Sequence, residues 1–164
     1  MTAPASQSGP PHGVELTITS DSQSLPVVRS AVMRMAELEG FPSEAVQHVA
    51  LAVDEALANV IRHGYGGAND RPIHINLERV AGASGRIGLA VTVRDFGRQI
   101  DPAAIQGRDL DDVRPGGLGV HIMRTCMDEV EFSCPAEGGM LLRMVKYADP
   151  APAARPDRRK ESPS

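Results

Sequence analysis

Between Pro42 and Gly67 the chain repeats apolar residues at a helical period and then stops at glycine. Val46, Val49, Ala50, Val53, Leu57, Val60 and Ile61 recur at spacings of three and four, so they form one stripe of a helix that other parts of the chain must cover. Pro42 and Ser43 suit its start, and Glu44 favours the positive end of the helix dipole. The stretch EALANVIRHGYGG, from Glu55 to Gly67, is its C-terminal half running out at glycine. Glu55, Asn59 and Arg62 fall on roughly the opposite side from the apolar stripe. Ala52, Ala56 and Ala58 flank them, and such small side chains leave room for something to come close.

Two later segments, DFGRQID (Asp95 to Asp101) and GGLGVHIMR (Gly116 to Arg124), read as built to meet this helix. Val14, Leu16 and Ile18 alternate with Glu15, Thr17 and Thr19, a half-buried strand. In SDSQSLPVVRSAVMRMAELEG, Ser24 can cap a helix, Pro26 suits its first turn and Gly40 can close it. Leu25, Val28, Val32, Met35, Ala36 and Leu38 or Glu39 are its apolar side. After Gly67 the period changes to two. Ile73, Ile75 and Leu77 form a strand, AGASG (81–85) a five-residue loop, and Ile87, Leu89, Val91 and Val93 the returning strand. That hairpin delivers Asp95 at its end. Residues 96–116 show little periodicity and form a long loop of the kind that serves as a lid. A third helix starts near Gly117, with Val120, Ile122, Met123, Cys126 and Met127 as its apolar side. Val130 and Phe132 begin a strand, 135–139 turn, and Met140, Leu142 and Met144 pair back. The order β, α, α, β, β, lid, α, β, β predicts an α+β fold: a two-layer α/β sandwich, with a mostly antiparallel sheet covered by helices on one face.

At 164 residues the chain suits one domain, expected over 14–148. Residues 1–13 and the tail 149–164 are rich in Pro, Ser, Gly and Ala or in charge, and are expected to be disordered. Arg155, Arg158, Arg159 and Lys160 make the tail locally basic, read as a solubilising feature. Aromatic residues are 3% and Trp is absent, so the core must be aliphatic. A net charge of −4 argues against a nonspecific nucleic-acid or acidic-membrane binder, which needs a basic face. Cys126 and Cys134 have no metal-ligand spacing and read as two reduced thiols. Without a signal peptide or a run of about 18 apolar residues, a cytoplasmic location is expected.

Several residues could carry chemistry. Glu55 and Asn59, one turn apart, can address one bound group. A carboxamide oxygen is a hard ligand suited to Mg²⁺, and a carboxylate beside it can accept a proton from a hydroxyl. Glu and Asn at that spacing also decorate the solvent side of many helices. His63 could touch a phosphate, but a role at the helix C-terminus is preferred. Asp95 can accept a hydrogen bond from the exocyclic amine of adenine, and Gly97 permits close approach of a flat ring; Asp-Phe-Gly is also an ordinary strand-to-loop turn. Gly116, Gly117 and Gly119 open a helix, where exposed N–H groups favour a polyphosphate or a glycine hinge. There is no GxxxxGK[ST], hence no P-loop. Nor do an HRD or a VAIK-like strand accompany the DFG, so no eukaryotic-type kinase domain is implied.

Together, ExxxN on a helix, DxG after a hairpin and GGLG opening the next helix resemble the ATPase superfamily of gyrase, histidine kinases and mismatch-repair ATPases. Within it, EALANVIRHGYGG, DFGRQIDP and GGLGVHIMRTCMDEVEF look most similar to the anti-sigma factor serine/threonine kinases. The resemblance covers 14–148 and implies a Bergerat ATP-binding fold with ATP between the helix of Glu55 and Asn59 and the lid. It implies that Asn59 ligates Mg²⁺ and Glu55 is the general base. Asp95 would bind adenine beside Gly97, and Gly117, Leu118 and Gly119 would surround the phosphates. The implied acceptor is a small anti-anti-sigma (STAS-type) protein that competes with a sigma factor for the kinase. Arg29 falls where the family places a partner-contacting arginine, which is also an ordinary solvated helix position. A homodimer through the sheet or its edge is implied too. Gln99 replaces the second glycine of the histidine-kinase DxGxG, and no dimerisation helix with a phosphoacceptor histidine precedes the domain; both argue against a histidine kinase. The lid offers Arg98, Arg108 and Arg114 rather than lysine. The alternative is a non-catalytic ATP/ADP-binding module that controls a sigma factor or a phosphatase partner.

Overall fold

Strands of alternating apolar residues pair into a single sheet, and the helical stripes close over one side of it. The computed structural model describes residues 13–106 and 117–148. The elements are β1 (Gly13–Thr19), α1 (Leu25–Leu38), α2 (Ser43–Asn59), β2 (Pro72–Ala81), β3 (Ile87–Arg94), α3 (Pro102–Gln106), α4 (Leu118–Cys126), β4 (Glu129–Ser133) and β5 (Leu141–Tyr147). The sheet order is β1-β2-β3-β5-β4, and every neighbouring pair is antiparallel. β3 is therefore the central strand, and Asp95 leaves it at mid-sheet rather than at an edge. This is the expected α+β sandwich.

The inward sheet residues Ile73, Ile75, Leu77, Leu89, Val91, Val93, Leu142 and Met144 meet Val28 and Val32 of α1, Val49, Val53 and Leu57 of α2, and Met123 of α4 in one buried cluster. The outward face carries Glu15, Thr17, His74, Asn76, Thr92 and Arg94, as period-two alternation requires. Among the described residues no helix is long and apolar enough to cross a membrane. Cys126 is buried, Cys134 is exposed, and both are free thiols.

The structure corrects several local expectations. β1 begins at Gly13, one residue inside the segment expected to be disordered; residues 1–12 and 149–164 lie outside the described residues. Ser24 makes no side-chain cap. It closes a short 3₁₀ turn, Ser22–Ser24, which Asp21 caps by accepting the Gln23 N–H. Leu38 is two-thirds exposed. It stands off the stripe of Val28, Val32, Met35 and Ala36, and its neighbour Glu39 turns to Arg79 at 3.4 Å instead. Ala52 and Ala56 do not flank an open cleft: both are fully buried, and their small size lets other parts of the protein pack close. The loop after Asp95 holds the five-residue helix α3, started by Asp101, whose carboxylate accepts the Ala103 N–H at 2.9 Å. A helix of little more than one turn is too short to show a period.

Candidate active site

α2 does not simply fray after Asn59. Its last turn, Val60–Gly64, widens to a π-helix, with the Tyr65 N–H bonded to the Val60 carbonyl at 2.9 Å. Such turns commonly sit at functional sites. Gly66 and Gly67 take positive φ of 61° and 87° and turn the chain out of the helix. The π turn leaves the Gly64 carbonyl free of the helix ladder, and it accepts the Arg98 N–H at 2.9 Å instead.

That bond docks the Asp95 turn onto the end of α2. Asp95 is almost fully buried. Its Oδ1 accepts the Gly97 N–H at 2.8 Å, and its own N–H donates to the Met140 carbonyl at 3.1 Å. Burial is the largest influence on its carboxyl and pushes the pKa above the ordinary value; N–H groups of Gly97 and Met140 and the charge of Arg94 pull it back. Gly97 does permit a close approach, but its Cα faces the Gly64 carbonyl: a Cβ there would overlap that backbone. The expected clearance for a flat ring is thus occupied, at this atom, by the protein's own π turn.

On its other side the Asp95 turn rests on the loop between β4 and β5. A Cβ on Gly139, whose φ is +69°, would overlap the Asp95 carbonyl oxygen. Arg94 donates to the carbonyls of Asp95, Gly138 (2.6 Å) and Met140 (3.2 Å) and stacks on Phe96. Gln99 donates to the Pro135 carbonyl at 2.9 Å. We expect Gly139→Ala to lower stability by about 2 kcal/mol, since positive φ and a backbone overlap both oppose a side chain there. A denaturant midpoint within error of the wild type would contradict this packing.

The third piece approaches from α4. A Cβ built on Gly119 would lie 2.9 Å from Glu55 Oε2 and 3.2 Å from Asn59 Nδ2. Glycine at 119 therefore lets the α4 N-terminus sit directly on the polar side of α2. Glu55 and Asn59 are half-buried, Gly119 is buried, Gly117 is half-buried as the N-cap residue, and Leu118 is two-thirds exposed. The sequence thus named residues that meet as two contacting groups: Glu55, Asn59 and Gly119, and Asp95 with Gly97. The five-residue π turn joins them. A carboxamide oxygen beside one carboxylate fits Mg²⁺ that arrives with phosphate oxygens and water. Among the described residues, no cluster of three or more His, Cys, Asp or Glu offers an all-protein cage.

His63 is exposed in the π turn, consistent with a place at the helix end. Arg29 is not simply solvated: it pairs with Asp54, next to Glu55, and reaches Gln47 Oε1 at 3.3 Å. Arg98 is exposed just after the Asp95 turn; Gly116, Arg108 and Arg114 lie outside the described residues. Sequence reasoning missed Gly64, Tyr65, Arg94 and Gly139. Only the HGYGG wording around the first two hinted at more than a helix end.

The family model described as histidine kinase-like ATPase domain matches residues 18–146. The chain is 28% identical over 147 residues to the serine-protein kinase RsbW of Halalkalibacterium halodurans, covering 84% of each chain. To the RsbW of Listeria innocua it is 26% identical over 138 residues, covering 82% of this chain and 86% of that one. Among solved structures, the RsbU and RsbW domains of a Mycobacterium tuberculosis protein superpose with a TM-score of 0.58 at 16% identity, over 87% of this chain and 34% of that one. The SiaB–SiaC complex of Pseudomonas aeruginosa gives 0.58 at 14% identity, over 80% of this chain and 88% of its counterpart. At these identities the two structures speak for the fold alone.

Proposed function

The chain belongs to the histidine kinase-like ATPase domain family, and from that premise we propose that it is an ATP-dependent serine/threonine protein kinase and anti-sigma factor. Its acceptor is a small anti-anti-sigma protein of the STAS type, and it sequesters a sigma factor when that acceptor is absent or phosphorylated. One observation carries the reading: Gly119 brings the α4 N-terminus within contact of Glu55 and Asn59. A base, a hard oxygen ligand and an anion-favouring helix end then lie against one another. Relatives over 80% of the chain bear the name serine-protein kinase, which supports a protein hydroxyl as acceptor.

In this reading Asp95 accepts the exocyclic amine of adenine, and the N–H groups from Gly117 to Gly119 face the phosphates. Asn59 would hold Mg²⁺ through its carboxamide oxygen, and the ion would supply neutralisation of phosphate charge. The Glu55 carboxylate accepts the proton of the serine or threonine hydroxyl as its oxygen attacks the γ-phosphorus. The bond from that phosphorus to the β–γ bridging oxygen breaks, and ADP leaves with the electron pair. The proton then passes from Glu55 to solvent. A cytoplasmic location and a homodimer through the sheet or its edge belong to the same reading; β1 is an edge strand.

The test is transfer of label from γ-labelled Mg-ATP to a small protein in an extract of the source cells. A labelled small band supports the kinase. ATP binding without label transfer would favour the non-catalytic nucleotide-switched module. Asn59→Ala should weaken Mg-ATP binding about tenfold, while binding of ATP in excess chelator changes little. Equal loss with and without metal would remove Asn59 from the metal role.

A further inference from the structure

We propose that the Tyr65 hydroxyl positions Asp95 for the adenine amine, and through it sets the preference for ATP over GTP. The inference rests on the reading of Asp95 given above. Tyr65 is half-buried at the exit of the π turn. Its hydroxyl donates to the Pro72 carbonyl at 2.5 Å and accepts the Phe96 N–H at 2.8 Å. One oxygen thereby ties the end of α2, the start of β2 and the residue that follows Asp95.

The need for such a tie is visible at Phe96. Its ring is half-exposed, held by Arg94 at 4.4 Å and by the edge of His74 at 5.5 Å on the outward side of the sheet. The ring is therefore not seated in the core, and on the α2 side the Phe96 backbone depends on hydrogen bonds. Asp95 is anchored from the loop ahead of β5 through its own N–H and the Met140 carbonyl, with Gly139 packed on its backbone and Arg94 donating to its carbonyl. Toward α2, the turn is held by the Arg98 N–H on Gly64 and by the Phe96 N–H on Tyr65. The first is a backbone bond that most residues could make; the second needs a phenolic oxygen at 65. A small rotation about Phe96 would swing the carboxylate away from a base amine while leaving phosphate contacts at α4 intact. Tyr65 is thus a positioning residue: it shapes base recognition without touching the reacting atoms.

Tyr65→Phe removes this oxygen and keeps the ring. Affinities for ATP and GTP are measured on the full chain by competition with a fluorescent nucleotide. The expected result is an ATP affinity lowered about five- to tenfold, the worth of one hydrogen bond, with GTP affected less than about twofold, so that the ATP:GTP ratio shrinks. Because the ratio is read within one preparation, a partly unfolded fraction cancels. A wild type that prefers ATP, with the same ratio in Tyr65→Phe, overturns the role of Tyr65 alone. A wild type that does not discriminate overturns the assignment of Asp95, and this inference with it.

Discussion

Glu55→Ala is expected to abolish phosphotransfer, by about 1000-fold or more, while nucleotide still binds. A positioned general base contributes about 10²–10⁴ in rate, and Glu55 is the carboxylate that Gly119 brings against the α4 N-terminus. The methyl of alanine at 55 cannot accept a proton, and it opens space rather than filling it. The fold should survive, because Glu55 is half-buried on the side of α2 away from its apolar stripe. Single-turnover transfer of label, alongside equilibrium nucleotide binding, separates the two effects. Full transfer by the variant would remove Glu55 from the chemistry. Loss of binding and transfer together would make it a binding residue instead.

The second large effect is expected from Asp95→Asn. The carboxylate offers acceptors on both sides, one of them used by the Gly97 N–H. If Asp95 takes the proposed adenine contact, asparagine keeps the Gly97 bond with its oxygen and turns an amide N–H₂ toward the base amine, donor against donor. An affinity loss of about 100-fold for ATP follows from leaving such a group unpaired in a closed site. The same substitution reports on pH. The folded pKa of Asp95 is raised, so the protonated form is favoured by folding. Its contribution to stability is present below the unfolded value of about 4 and is lost as pH rises through the folded value. Relative to Asp95→Asn, the wild type should therefore be most stable in acid and lose that advantage toward neutrality. Paired denaturation midpoints at about pH 4.5 and about pH 7 read this directly; a wild-type advantage that grows with pH would contradict it.

Much of this architecture was legible from periodicity. Period 3.6 in 46–61 and period two in 73–77 and 87–93 mark elements whose partners are set by burying one face. The place of Asp95 is legible because it stands where the second pattern ends. What escaped was decided by partners far along the chain. The space before Gly97 is filled by Gly64, and that before Gly139 by the Asp95 backbone; neither close approach leaves a local trace. Ala52 and Ala56 look like clearance on a helical wheel and are instead core. Asp21 displaced Ser24 as the cap because the chain enters α1 through a 3₁₀ turn. The π turn likewise has no pattern of its own, since it reads as one more turn of the same helix.

The order of the sheet has a consequence for how the protein is made. β3 lies between β2, its neighbour in sequence, and β5, the last strand among the described residues. The residues that brace Asp95, namely Gly138, Gly139 and Met140, lie just ahead of β5. During synthesis, α2 with Glu55 and Asn59 emerges long before them. A nascent chain that ends before residue 138 has both polar residues of α2 but no seat for Asp95. Non-local pairing of this kind closes late, so we expect ribosome-released fragments lacking β5 to retain no nucleotide, and competence to arrive in one step as the C-terminal hairpin docks.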